Sequence, residues 1–425
     1  MSRTWVEAGF GLAALATAGS AFAEGTASVP VTMTEAIRRA LAQNPTFVVA
    51  RDEITRAQAL LEQVRSQSIP TVTGTASYLQ LSASQVFDGI VTQPASQENL
   101  SGIVRIPLVN PRAWAQWSHA GDNIDVATAA AFDTRRIIAV ATGHAYLSVL
   151  EQKRVLEANQ RALDTAKAHL DDAHARFVAG AGNRLDEVRA GEQLAADETL
   201  VESSRAAVVR ATEALGVLAG QDTPLDSTDE PRFAVLPPLD HAVDLATQER
   251  SDVVAARQRG KAAHDIRRDN WTELSPSVAG TFTAFYQNPP TSLLPATGWQ
   301  AELLLTVPFY DGGLACGLGK ERRTLESEAT TQTEATVRQA RSDVRAAYDT
   351  VARARAALPR ALEASRLGKE ALELTIQAYE AGASTNIEVI DAEQTARDAE
   401  IQAEVAADTE RQATLDALAA VGQFP

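Results

Sequence analysis

The sequence is poor in the residues that build covalently or metal-clamped folds. It has one cysteine, Cys316, in 425 residues. No intrachain disulfide and no cysteine-rich metal site can form. The six histidines are scattered, at 119, 144, 169, 174, 241 and 264. His169 and His174 stand five apart, a spacing that does not put two side chains on one helix face, which argues against a metal pair. Basic residues are in deficit: 39 Lys and Arg against 55 Asp and Glu give a net charge of −16. Such a chain lacks the basic face that nucleic-acid binding needs. No apolar run of about 18 residues follows the first 23 positions, so no transmembrane helix is expected in the rest of the chain. If the chain enters a bilayer it must do so as a closed barrel, because only helices and closed barrels satisfy the backbone in lipid. Gly180-x-Gly182 lacks the Lys-Ser/Thr of a phosphate loop. No nucleophile, base or metal cluster is visible, so neither an enzyme nor a cofactor or metal is expected.

The N-terminus reads MSRTWVEAGFGLAALATAGSAFAEG. Arg3, the apolar stretch Ala8 to Ala18 and the small-residue site Ala21-Phe22-Ala23 have the form of a signal peptide cleaved after Ala23, although Glu7 is atypical. Residue 24 is Glu, not Cys, so no lipid anchor is expected.

The remainder is written twice. Ala36 matches Ala242 and Pro70 matches Pro276, both 206 apart; IPLVNP at 106–111 matches VPFYDGG at 307–313; Gly180 matches Gly382, 202 apart. We expect two internal repeats, about 24–228 and 229–425, far longer than solenoid periods of about 20–50 residues. Each repeat carries two alternating stretches. In TVTGTASYLQL (71–81), Val72, Gly74, Ala76 and Tyr78 oppose Thr71, Thr73, Thr75 and Ser77. The return strand sets Leu100, Gly102, Val104 and Ile106 against Ser101, Ile103 and Arg105. In the second copy Val278, Gly280, Phe282 and Ala284 share a face, as do Ala301, Leu303, Leu305 and Val307, with Glu302 opposite. Alternation alone leaves two readings open: a soluble sandwich with the apolar face inward, or a membrane barrel with that face toward lipid. Four strands cannot close a barrel, so the second reading demands an oligomer.

Between strands and breaks lie long helical stretches. Apolar residues recur every seven positions at Val149, Leu156, Leu163, Leu170 and Phe177, and again 202 residues on at Val351, Leu358, Leu372 and Tyr379, with Ser365 between. Leu194, Val201, Val208 and Leu215 continue the seam after the first break. That period predicts coiled-coil packing. Pro359 is expected to interrupt and bend the second helix. The small-residue run GGLACGLG is expected to mark close packing where strands meet helix, and Trp114, Trp117, Trp271 and Trp299 flank the strand regions.

On the paired strand exits (IPLVNP and VPFYDGG) and paired breaks (FVAG at 177–180 and YEAG at 379–382, the latter followed by IEVIDAEQ), the chain resembles the TolC-type outer membrane factors of Gram-negative bacteria. The resemblance covers nearly all of it. It implies a mainly α, mixed α/β fold: long coiled-coil hairpins forming a periplasmic tunnel, and four strands per chain in a trimeric twelve-stranded outer membrane barrel. It implies an exit duct that docks on a periplasmic adaptor protein and an inner membrane pump or ABC transporter. Gly180 and Gly382 become the tip turns. Asp391, Glu388 and Asp186 become candidates for the periplasmic constriction, and Tyr379 for a residue that ties the closed tip. Arg105 and Glu302 become barrel-lumen candidates. A tip arginine expected shortly after the second glycine is replaced by Ser384. Glu388 has a second reading, because Thr385-x-x-Glu388 is a capping box, and Asn183-x-x-Asp186 has the same spacing. Asp391 lies beyond capping reach. Its other reading is an ordinary solvated charge. A ring of these acids predicts a cation-selective, pH-sensitive entrance. Small-molecule efflux is favoured, with type I protein secretion and a non-pore coiled-coil periplasmic protein as alternatives.

Overall fold

The computed structural model describes residues 28–291 and 294–424. The expected signal peptide lies outside the described residues. In chain order the elements are β1 (Val29–Val31), α1 (Met33–Gln43), α2 (Pro45–Arg65), β2 (Thr71–Gln80), β3 (Gln85–Phe87), β4 (Ile90–Gln93), β5 (Ser96–Val109), α3 (Pro111–Val178) and α4 (Arg184–Leu218). Then follow β6 (Leu225–Ser227), α5 (Leu239–Glu249), α6 (Ser251–Arg268), β7 (Ser277–Asn288), β8 (Thr297–Thr306), α7 (Leu314–Glu380) and α8 (Asn386–Val421).

The strands foreseen from alternation form one antiparallel sheet in the order β2-β5-β7-β8. Its register puts residues of one kind in the same row. Val72, Val104, Phe282 and Ala301 pair across one face, and Thr73, Ile103, Thr283 and Gln300 across the other. Phe282 and Trp299 stack with centroids 5.9 Å apart on the apolar side, while Thr75 Oγ1 and Ser101 Oγ hydrogen-bond at 2.7 Å on the polar side. The apolar face is not turned inward. Val72 is 75% exposed, Trp299 70%, Leu303 69% and Leu305 62%. A soluble sandwich would bury these side chains, so the chain alone does not form one. Both edge strands, β2 and β8, have one unpaired side.

The sheet continues into very long helices. Asn110 caps α3 by accepting from the Ala113 amide at 3.2 Å, and Pro111 sits in the first turn, where its missing N–H leaves no bond unmade. With 68 residues, α3 is about 100 Å long. In the second copy, Asp311 accepts from the Gly313 and Ala315 amides as α7 starts. Helix α7 continues unbroken for 67 residues through Pro359, so the expected interruption does not occur. The small-residue run at the start of α7 is closely packed only in part, at Ala315 and Gly319. Gly312 and Gly313 provide a turn with positive φ, and of the run's glycines only Gly319 approaches a neighbour, Asn270. Cys316 is exposed.

The helices pair as hairpins, α3 with α4 and α7 with α8. Within them the seven-residue seam is only partly leucine. Val149, Val201, Leu215 and Val351 are fully buried, but Leu156, Leu163 and Leu170 are half-buried and Phe177 is exposed. Much of the buried surface is alanine: Ala158, Ala166, Ala173, Ala190, Ala354, Ala396, Ala403, Ala413 and Ala417. Where the strand β1–β6 pair and α1 meet the helices, a denser core forms around Tyr146, Leu147, Leu215, Leu225 and Leu415. A side chain at Gly143 would put its Cβ 2.6 Å from Leu415 Cδ1, so this glycine permits the approach of α3 to α8. The small β3–β4 hairpin and the β1–β6 pair carry no alternation and were not foreseen.

Candidate functional site

The two helix breaks are the same turn built twice. At the first, Gly180 has φ 71°, and the amides of Ala181 and Gly182 return to the Arg176 carbonyl. At the second, Gly382 has φ 76°, and the amides of Ala383 and Ser384 return to the Ala378 carbonyl. These are helix-ending turns in which glycine takes the left-handed position.

The acids at the tips separate by role. The capping box at Thr385 forms: Glu388 Oε2 accepts from the Thr385 amide at 2.7 Å and from Ser384 Oγ at 2.5 Å. Those bonds, the Ser384 hydroxyl first, hold the Glu388 carboxyl below its ordinary range. Asp186 does not reproduce the box. Asn183 Oδ1 accepts from the Leu185 amide at 2.7 Å, and the shorter Asp186 side chain makes no return bond among the described residues. Its backbone carbonyl instead accepts from Asn386 Nδ2 at 3.2 Å. Asp391 is exposed and has no hydrogen bond or ion pair within its own chain among the described residues. Tyr379 is tied, but by an arginine from the other hairpin. Arg176 lies over its ring at 4.4 Å and donates to its carbonyl at 3.2 Å. Arg176 belongs to the last turn of α3, so this cation comes from the first hairpin.

Above the tips, sequence reasoning missed a polar seam between the hairpins. His169 on α3 contacts Glu393 on α8 through Nδ1 at 3.0 Å and Asn386 Oδ1 through Nε2 at 2.7 Å, all three residues being buried. Tyr379 packs edge-on to the His169 ring at 5.8 Å. Further along, Arg161 pairs with Glu400 at 2.9 Å, Asp408 is buried beside Glu151, and His144 bonds Asp416 at 2.7 Å. Gln193 with Gln394, and Asp197 with Arg397, link α4 to α8 at 2.7 and 2.8 Å. Burial pulls the His169 pKa down, but the Glu393 carboxylate and Asn386 outweigh it and the net shift is upward. The hydrogen bond to Asp416 raises His144. Burial, and then the neighbouring Glu151, push Asp408 up to about 7. One signal was available: Asn386, Glu393 and Glu400 stand seven apart, a polar stripe with the coiled-coil period.

Among the described residues no group of three or more His, Cys, Asp or Glu is arranged to hold a metal ion, and no helix is long and apolar enough to cross a membrane.

A family model described as outer membrane efflux protein matches residues 36–221 and 242–422. The chain belongs to the outer membrane efflux protein family. Solved structures of similar fold include the CmeC outer membrane channel of Campylobacter jejuni, at 15% identity and TM-score 0.80, covering 100% of this chain and 94% of that one. VceC, an outer membrane protein of Vibrio cholerae, aligns at 18% identity and TM-score 0.77, covering 92% and 96%. The MtrE outer membrane channel of Neisseria gonorrhoeae, in an open state, aligns at 19% identity and TM-score 0.76, covering 92% and 88%. No curated protein matches the sequence significantly. Family and fold place the protein in the outer membrane, with its helices extending into the periplasm and its strands contributing to a barrel. The exposed apolar face of the sheet is accordingly the lipid face.

Proposed function

We propose that three copies assemble into a passive exit duct for small molecules, docking on a periplasmic adaptor and an inner membrane transporter that supplies the energy. One observation carries the assembly: a four-stranded sheet with an exposed apolar face and two unpaired edges, continuous with helices about 100 Å long. The edges must be paired within lipid. Two copies would give an eight-stranded barrel, whose interior side chains fill; three give twelve strands and an open lumen. Closed threefold symmetry is a common solution. No catalytic step belongs to this reading.

At the inner end, Asp391 from each copy faces the axis and, with Glu388 and Asp186 nearby, favours cations. Asp391 carries this role because Glu388 is occupied by its own turn. The test is the state of detergent-extracted protein and its conductance in planar bilayers. Trimers that conduct, and a weaker cation preference for Asp391→Asn, are expected. Monomers without conductance reject the duct, and an unchanged preference rejects the Asp391 role. Deleting the gene and finding accumulated toxic compounds supports efflux; an exported protein trapped in the cell supports secretion instead.

A further inference from the structure

The four strands of the sheet contain three charged residues: Glu98, Arg105 and Glu302. Glu98 pairs with Tyr78 and Asn288 at the hairpin end of the apolar face. The other two belong to the polar face, and the register brings them to a single row. Arg105 is opposite Thr71 on one side and Thr281 on the other, and Thr281 is opposite Glu302. The row reads Thr71, Arg105, Thr281, Glu302, with the two charges two strands, or about 10 Å, apart. Both side chains are exposed, and neither has a partner in its own chain among the described residues. All other side chains of that face are uncharged. The polar face thus carries one cation and one anion, placed together.

We propose that Arg105 and Glu302 form a charge-balanced belt around the barrel lumen, each offsetting the other's effect on which ions pass. The belt rests on the trimeric duct proposed above. Around a twelve-stranded barrel, β8 of one copy adjoins β2 of the next. Going round the wall, a charge then recurs every second strand and its sign alternates, giving three of each. Threefold symmetry holds the three arginines at one level and the three glutamates at another. Strands tilted by roughly 35–45° separate the levels by about 6 Å. The two rings cancel at long range but not for a solute close to the wall, since salt screens charges beyond about 8 Å. A barrel of this kind excludes neither anions nor cations. It offers solutes that bear both signs of charge a partner for each, while discrimination by sign is left to the tips.

The belt predicts effects of opposite sign from its two members, which a merely solubilising pair would not give. Reversal potentials across a salt gradient are read in planar bilayers for wild type, Arg105→Gln, Glu302→Gln and the double variant, with heat-resistant trimer on a gel as the assembly control. Arg105→Gln leaves three carboxylates and shifts the permeability ratio toward cations by on the order of twofold. Glu302→Gln leaves three guanidiniums and shifts it toward anions by a similar factor. The double variant returns to the wild-type ratio, and Arg105→Lys stays there. Trimeric single variants with an unshifted ratio, or shifts of the same sign, overturn the belt. Should Arg105→Gln fail to assemble, the sign of the Glu302→Gln shift decides alone. A wild-type protein that neither trimerises nor conducts rejects the duct itself, a different outcome from conducting channels with no belt.

Discussion

The two kinds of helical seam in this chain are built from opposite materials. Within each hairpin the buried residues are mostly alanines with a few valines and leucines, and Gly368 would put a Cβ 3.3 Å from the Ala396 Cα. Between the hairpins, α8 meets α3 and α4 through histidine, carboxylate, amide and guanidinium groups. An alanine seam gives close, wet-proof contact that no change of proton count alters. A titratable seam is as strong as its protonation state allows. The hairpins are therefore units, and the joint between them is the adjustable part.

The largest effect is expected from a charge placed within a hairpin. Ala417, fully buried against Val351 and Ala354, is the site to try. Ala417→Asp should cost about 3–5 kcal/mol as an uncompensated buried charge, read as a lower thermal unfolding temperature at neutral pH. A wild-type melting curve would show that the seam is looser than its geometry. The next largest effect is expected between hairpins. Glu393→Gln removes the carboxylate facing His169 and should cost about 1–3 kcal/mol, confined to the joint. Hydrogen exchange at pH 6 should show faster opening near residues 386–393 with α7 unaffected; uniform loss of protection would mean that the two seams are not separate.

Asp408 rises from an ordinary 3.8 to about 7, so its contribution is whole below 3.8 and is lost as the pH climbs from there to about 7. His169 and His144 are both held above 6.5, so theirs is whole below that value and fades above it. Glu151, Arg411 and Gln412 face Asp408, and Glu393, Asn386 and Asp172 face His169. All three groups act in one direction. Protection at the joint should fall from about pH 4, through Asp408, and on above pH 6.5, through the histidines, while the hairpin interiors hold steady. Asp408→Asn should flatten much of that response, and an undiminished slope in the variant would remove Asp408 from the account. The smallest effect separates the tip acids. Glu388→Ala should loosen the first turn of α8 and leave cation preference intact, the reverse of Asp391→Asn; a selectivity change from Glu388→Ala would return it to the gate.

Sequence patterns reached the structure wherever the deciding interaction is local or periodic. Alternation located all four barrel strands and assigned Arg105 and Glu302 to the polar face. Gly180 and Gly382 announced the turns because a left-handed position excludes most side chains. The Thr385–Glu388 box was readable from a spacing of three. The same rule failed at Asn183, because aspartate is one methylene shorter than glutamate. What stayed hidden depends on partners brought together by the fold. His169 and Glu393 are 224 positions apart, and neither has a local reason to be buried. The Arg176 contact with Tyr379 joins two hairpins across 203 positions. Pro359 misled in the opposite way: it does not interrupt α7, which continues through it as one 67-residue helix.

The length of α3 has a mechanical consequence. The helix is gripped near Tyr146, where the core is densest, and its far end at Val178 lies 32 residues away. That is a lever arm of about 48 Å. A tilt of roughly five degrees at the grip sweeps the end through about 4 Å, more than the 3.0 Å that separates His169 from Glu393. Motion too small to disturb the core is thus magnified at the tip into the making or breaking of polar contacts.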